Sequence, residues 1–292
     1  MARLALFFGE FMAVREIKAS DITDTVRMLC IEANTDLGDD VIQAFEKGLK
    51  QEESPTGKAI FTALLENAKI ARDEKVPMCQ DTGFAVVFVE MGQEVVISGG
   101  SMDDAINEGV RHGYKEGFLR KSICDPFTRK NTKDNTPAVI ITDIVEGDKF
   151  KITIAPKGGG SENMSRVTML TPSGGKEAVV DFIVQRRQEA GSNPCPPVIV
   201  GACIGGTPEK AAILAKKALL RKIGEPNPDP ELAGMEKELL LKINNLGMGP
   251  QGLGGRVFAM AVHLIKHPCH IASLPLAVNI CCHASRHKEV EF

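Results

Sequence analysis

From Ser20 onward, Ile22, Val26, Leu29, Cys30 and Ala33 recur three or four residues apart, the spacing that lines one face of an α-helix, and Ser20 suits the cap. Val41, Ile42, Phe45 and Leu49 repeat the pattern, as do Ile60, Phe61, Leu64, Leu65 and Ala68, so the chain predicts a helical layer at its N-terminal end. The period then changes. Phe84 to Met91 and Glu94 to Ser98 are rich in β-branched and aromatic residues and stop at Gly99-Gly100, which predicts two strands. Ser101 opens a further helix through Ala105, Ile106 and Val110, continuing toward Leu119 and Arg120.

Beyond a polar connection from Arg129 to Pro137 come two apolar runs, Ala138 to Val145 and Phe150 to Ala155. Glu146-Gly147-Asp148 joins them and predicts a β-hairpin. It delivers the chain into Lys157-Gly158-Gly159-Gly160-Ser161-Glu162-Asn163, read as a flexible loop. A helix is expected from Lys176 to Glu189 and a strand from Val198 to Cys203. Thr207 then caps a helix with Pro208 at its first position, and Glu225 to Pro230 is a surface connection. Leu232 to Leu246 reads as a helix and Arg256 to Ile265 as a strand. The mixed order gives an α+β fold, a helical N-terminal layer with mixed β-sheets.

Residues 1–16 read as an N-terminal extension, disordered or reflecting a start at Met12 rather than Met1, and residues 17–292 as one domain. The apolar run from Leu4 to Phe8 is too short for a signal-peptide core or a membrane span. With 43% hydrophobic and 25% charged residues, the chain can bury a substantial core. A formal net charge of -3, one Tyr and no Trp give neither a general attraction to nucleic acid or anionic membrane nor stacking platforms for single strands. The eight cysteines stand in a chain too large to need disulfide staples and are expected reduced, in a cytoplasmic setting.

Candidate chemistry centres on Pro77-Met78-Cys79-Gln80-Asp81-Thr82-Gly83, at the junction of a helical and a strand pattern. A thiolate can bind iron, Gln80 and Asp81 can hydrogen-bond a substrate or exchange a proton with it, and Gly83 permits a tight turn. By itself the stretch reads equally as a buried cysteine before an Asp-Thr-Gly turn. Cys195, between Pro194 and Pro196-Pro197, and Cys282, before His283-Ala284-Ser285-Arg286, stand in similar loops. No Cys-x-x-Cys is present, and the adjacent Cys281 and Cys282 cannot both readily face one small ion. Gly158 to Gly160 lack the Lys-Ser/Thr of a phosphate-binding loop. They offer either backbone N–H groups to an anion or a plain turn.

The loops CQDTG from Cys79, KGGGSEN from Lys157, PCPP around Cys195 and HPCHIASLPLAVNICCHASR from His267 resemble, in the same order, the cluster-binding domain of class I, oxygen-sensitive fumarate hydratases and the related L-tartrate dehydratases. The resemblance runs from about Pro77 to Arg286 and implies a class I fumarase N-terminal-domain fold. It implies a [4Fe-4S] cluster held by Cys79, Cys195 and Cys282, with one iron lacking a protein ligand. Cys281 is the rival for the last position, Cys282 being preferred for the x-Ala-x-Arg run that follows it. Cys124, Cys203 and Cys269 are then packing residues. Four thiolates would suit electron transfer, whereas an open iron suits Lewis-acid chemistry.

The same resemblance implies that Gln80 and Asp81 face the substrate, with Asp81 exchanging a proton. Arg120 would bind a substrate carboxylate, the Gly159 backbone would donate to the substrate, and His270 would hydrogen-bond its hydroxyl. The implied reaction is reversible hydration of fumarate to (S)-malate, with dehydration of L(+)-tartrate as the alternative, so the partner molecule is a small dicarboxylate. Longer family members continue into a second domain that supplies further catalytic residues. The sequence given stops at Phe292, so the chain is expected to be the alpha subunit of a hetero-oligomer completed by a separate beta subunit. A non-catalytic iron-sulfur or structural module is the reading from a different class.

Overall fold

The computed structural model describes residues 14–292. Most of the expected N-terminal extension lies outside the described residues, but Arg15 and Glu16 belong to the first strand, β1 (Arg15–Lys18). There follow α1 (Ala19–Thr35), α2 (Asp39–Gln51) and α3 (Pro55–Glu74). Their predicted apolar stripes are their buried faces: Ile22, Val26, Leu29 and Cys30 on α1, Val41 and Phe45 on α2, Phe61 and Ala68 on α3. α1 starts one residue before Ser20, with no side-chain cap. α3 is capped by Ser54, whose hydroxyl accepts from the Gly57 N–H, with Pro55 next.

β2 (Phe84–Gly92) and β3 (Val95–Ser98) precede α4 (Met102–Glu116), which Ser101 caps as expected by accepting from the Asp104 N–H. α4 stops short of Leu119. Phe118, at φ 53°, takes the left-handed position of a Schellman turn in which Phe118 N–H donates to Lys115 O (3.3 Å) and Leu119 N–H to Tyr114 O (3.1 Å). Next come β4 (Val139–Val145), β5 (Phe150–Lys157), the single helical turn α5 (Gly159–Asn163) and β6 (Arg166–Leu170). α6 (Gly175–Ala190), β7 (Val198–Gly205), α7 (Pro208–Ala218), α8 (Pro230–Asn244), β8 (Ala259–His267), β9 (Leu274–Cys281) and β10 (Lys288–Glu291) complete the chain.

Two expectations are corrected. β4 and β5 form no hairpin: β2 lies between them, parallel to β4 and antiparallel to β5, in the sheet order β10-β5-β2-β4. β2 is buried from Ala85 through Val89, so the central place shields it best, while β4 exposes Val139 and Ile144 at the edge. The helix α4 supplies the crossover that a parallel β2–β4 pair requires. The glycine-rich stretch, expected to be a flexible loop, winds into α5. Lys157 Nζ holds Ser161 Oγ (2.9 Å) and pairs with Glu162 (3.1 Å), which also accepts from Lys216 of α7 (2.6 Å).

The first sheet packs α1 and α4 over one face. The second, in the order β6-β9-β7-β8, packs α6 and α8 on one face and α7 on the other. Leu219 and Leu220, at the end of α7, border a small cavity with Val86 and Ala155 of the first sheet, so α7 lies between the sheets. α2 and α3 form a third cluster with Met78, Val257 and Ala284. Among the described residues no helix is long and apolar enough to cross a membrane.

A buried carboxylate locks this third cluster in place. Glu52, 2% exposed, accepts from the backbone N–H groups of Glu53 (2.9 Å), Ser54 (3.0 Å), Arg256 (2.9 Å) and Val257 (3.0 Å). Burial pushes its carboxyl up, but the N–H donors of Ser54, Arg256, Val257 and Glu53 prevail and hold it below the usual range. A carboxyl depressed in the folded state contributes stability above its unfolded value of about 4.3 and loses it as pH falls through the folded value. Glu52→Ala should cost about 2–4 kcal/mol in urea denaturation at neutral pH. The gap from the unchanged chain should begin to narrow as pH falls below about 4 and continue to narrow as pH passes through the lower folded value, beneath which the carboxyl is protonated in both states.

Candidate active site

Strand register brings distant loops together. β7 runs antiparallel to β9 with Ile199 opposite Cys281, so Cys195, just before β7, and Cys282, just after β9, leave the same edge of the second sheet. The two segments are joined by the His283 N–H, which donates to Cys195 O (3.2 Å). In the first sheet Phe84 of β2 stands opposite Lys157 of β5, which sets the Cys79–Gly83 loop against Gly158 to Gly160. Asp81 spans that contact, its Oδ1 accepting from Gly83 N–H (3.0 Å) and its Oδ2 from Gly159 N–H (2.8 Å). Gly83 has φ +73°, and a Cβ there would come within 2.7 Å of the Lys157 backbone, so the turn requires glycine.

Cys79, Cys195 and Cys282 meet where these loops meet. Cys79 and Cys282 pack against the same apolar cluster, and all three are free thiols, Cys195 the most exposed of them. Burial pushes the Cys195 thiol up, and Cys282, Cys79 and Asp81 push it the same way, each within electrostatic range of it. Cys195 itself sits at φ 53°. Its N–H is bound by Ser192 O (2.9 Å), and Gln251 clamps Pro196 O through its backbone N–H (2.9 Å) and its amide (2.8 Å).

Cys281, one step back along the strand, faces away, packing with Ile199, Leu219 and Ala261. The neighbouring Cys282 holds the Cys281 thiol below its ordinary range and is itself raised, and the Cys282 thiol donates to Ala284 O (3.7 Å). Metal binding displaces such a proton, so orientation, which favours Cys282, decides which sulfur is available. Of the cysteines expected to be packing residues, Cys203 is buried, but Cys124 lies in a surface hairpin and Cys269 on the exposed β8–β9 turn. Among the described residues no three His, Cys, Asp or Glu side chains converge on a position for a single metal ion. In a multi-iron cube each cysteine takes a different iron, so three thiols need not converge on one point.

The other expected residues divide. Gln80 is exposed, its Oε1 3.4 Å from Cys79 Sγ. The Schellman turn ending α4 delivers Arg120 to the same loop, where its carbonyl accepts from Thr82 Oγ1 (3.1 Å). The Arg120 side chain is exposed and, among the described residues, makes no ion pair or side-chain hydrogen bond. Gly159 is in place, but its N–H is held by Asp81 rather than free. His270 is not brought to the cysteines within this chain. It lies on the β8–β9 turn, its Nδ1 accepting from Ala272 N–H (3.1 Å), at the opposite end of β9 from Cys282, about 25 Å away at the usual rise per residue. Motif order carries no strand direction, and β9 runs the full depth of the sheet between them.

Sequence reasoning missed the residues beneath the loops. Arg286, 4% exposed, donates through Nη1 to Asn34 Oδ1 (3.1 Å) and through Nη2 to Asp81 O (2.6 Å). The Asn34 carbonyl accepts from Met78 N–H (3.0 Å), and the buried Tyr114 hydroxyl reaches the carbonyls of Thr82 (3.0 Å) and Gly83 (2.9 Å). The signals available were the arginine closing the run after Cys282 and the chain's single tyrosine. A lysine cannot reproduce the planar fork. Arg286→Lys should destabilise the fold by about 2–3 kcal/mol and speed amide hydrogen exchange at Gly83 and Gly159, while amides of α8 keep their protection.

Comparison with known proteins points the same way. Residues 23–291 match the family described as Fumarate hydratase (Fumerase). The chain is 44% identical over 271 residues to a Methanocaldococcus jannaschii protein named "Putative L(+)-tartrate dehydratase subunit alpha", covering 91% of this chain and 95% of that one. It is 34% identical over 269 residues to proteins of Escherichia coli and Shigella sonnei named "L(+)-tartrate dehydratase subunit alpha", covering 91% of this chain and 88% of each. The family match takes in all three cysteine loops, the glycine-rich turn and Arg286, and the chain belongs to the class I fumarate hydratase family.

Proposed function

We propose that this chain is the cluster-binding alpha subunit of a hydro-lyase acting on a four-carbon dicarboxylate, with fumarate and (S)-malate as the substrate pair. The observation that carries this reading is the meeting of Cys79, Cys195 and Cys282, from three loops, beside Gln80 and Asp81. These three thiols would hold a [4Fe-4S] cluster. When bound, it supplies Lewis acidity toward a substrate hydroxyl and carboxylate at the iron that no cysteine holds. The domain that builds this site extends from β1 to β10, its start at Arg15 two residues before the residue 17 expected from the sequence.

The remaining work falls to side chains. Arg120, exposed and unpaired among the described residues, can take a substrate carboxylate in its two-pronged guanidinium fork. The Gln80 amide is placed to donate to a substrate oxygen. Asp81 is held rigidly by Gly83 and Gly159, yet each carboxylate oxygen keeps a second lone pair, and the side chain is only half-buried. It can accept or return a proton without moving. Removing a proton next to a carboxylate builds enolate-like charge, which fixed donors must stabilise. We assign the further cations and the second proton-transferring group to a separate beta subunit, a reading supported by the relatives' designation as alpha subunits. His270 would touch substrate only if a second copy of the chain carried it there. Reduced thiols and an oxygen-sensitive centre suit a cytoplasmic setting.

Dehydration of L(+)-tartrate is the second reading, favoured by the names of those relatives. The substrates differ by one hydroxyl, and turnover of fumarate, malate and tartrate by the complete complex separates them. Anaerobically reconstituted chain should hold about four irons with acid-labile sulfide. Cys79→Ala, Cys195→Ala and Cys282→Ala should each lose them, whereas Cys281→Ala should keep them. Iron retained in all three variants, or lost only in Cys281→Ala, would overturn the ligand set. Full hydratase activity from the chain alone would overturn the division between subunits.

A further inference from the structure

The connection from α4 to β4 carries a hairpin that neither the core nor the cysteine loops require. Cys124 bridges Asn131, Asp125 N–H donates to Lys130 O (2.9 Å), and Thr132 N–H donates to Ile123 O (2.9 Å). Its tip is wound around Asp125, whose Oδ1 accepts from the N–H groups of Thr128 (2.6 Å) and Phe127 (3.0 Å) and from the Thr128 hydroxyl (2.9 Å). The hairpin is therefore rigid without a core of its own.

What this rigid tip presents is apolar. Phe127 is 91% exposed, and Phe118, at the hairpin's base, is 89% exposed. Phe118 also occupies the left-handed position of the Schellman turn, where glycine is the unstrained choice. An exposed aromatic held in that conformation does nothing for the stability of the free chain. Pre-organised aromatics of this kind are the usual anchors of protein interfaces.

The surrounding charge is one-sided. Arg120, Lys121, Arg129, Lys130 and Lys133 face only Asp125 within the same stretch, and among the described residues none of the five makes an ion pair, in a chain whose net charge is -3. A complementary surface must be acidic around an apolar pocket. Among the described residues none of this chain's larger grooves is acidic: one holds Lys176 and Lys266 with Glu231, another Arg166 and Lys216 with Glu162, and a third Asp181 with Lys242. A second copy therefore fits the hairpin poorly. The hairpin begins at Arg120, whose carbonyl accepts from Thr82 of the site loop, so its base adjoins the cysteine loops.

We propose that the hairpin is the docking element for the beta subunit, with Phe127 and Phe118 entering an apolar pocket rimmed by carboxylates on that subunit. The inference rests on the two-subunit reading above. The test is the dissociation constant of the alpha–beta complex, with cluster-loaded alpha subunit, for Phe127→Ser, Phe118→Gly and Lys130→Glu. Both aromatic variants should weaken association by roughly tenfold or more. Lys130→Glu should weaken it at low salt and much less at roughly 0.5 M salt. Iron content should be unchanged throughout, and Phe118→Gly should leave the thermal midpoint of the free subunit unchanged or raised.

Wild-type affinity in all three variants would overturn the proposal while leaving the two-subunit reading intact. Failure of the unmodified chain to bind a beta subunit would remove both. Unchanged beta affinity with lost self-association in sedimentation, or with lost binding of a labelled oligonucleotide, would reassign the hairpin and overturn the proposal.

Discussion

The guanidinium of Arg286 ties together the parts of this molecule that matter chemically. It follows β9, one of the two inner strands of the second sheet, and reaches the loop that precedes β2, one of the two inner strands of the first, while its other arm holds α1 through Asn34. A buried cation serves well here because backbone and side-chain carbonyl oxygens are fixed dipoles that accept charge-assisted hydrogen bonds without titrating. Without it, two sheets with separate cores would meet across loops that have little apolar surface of their own. Two strand registers aim the loops at one another, and Arg286 holds them there.

The same economy governs the glycine-rich turn. Three glycines would ordinarily make the most mobile backbone in the chain. Here the turn is bracketed by Lys157 and Glu162, and Lys216 extends the pairing to the helix between the sheets. Glu162 thus carries two ammonium groups, one of them buried, and the turn becomes a rigid platform whose Gly159 N–H is committed to Asp81. The Asp81 carboxylate placed this way has its orientation fixed by the fold, which would remove part of the ordering cost of the reaction proposed for it.

The site is asymmetric. Its floor, made of Tyr114, Asn34, Arg286 and the apolar cluster around Met78 and Ala284, is buried and hydrogen-bonded within the chain. Its rim, made of Gln80, Arg120 and Cys195, is exposed and largely unengaged. On the reading proposed above, the floor would hold the cluster and the rim would face the beta subunit. The rigid, basic, aromatic-tipped hairpin beginning at Arg120 stands at that rim.

Local periodicity was enough to find the long helices, the helix-to-strand junction at Cys79, the cap at Ser101 and Pro208 at the first position of its helix, because these depend on residues three or four apart. Motif resemblance was enough to single out the three cysteine loops and the family, because those residue types are rarely combined otherwise. Only the tertiary structure decided that β2 separates β4 from β5, that the triple glycine is pinned into a helical turn, that Cys281 turns inward while Cys282 faces its fellow thiols, and that His270 lies a strand's length away. All four depend on strand direction, register and side-chain pairing between residues far apart in sequence, and no local pattern encodes which of several suitable neighbours a strand will choose.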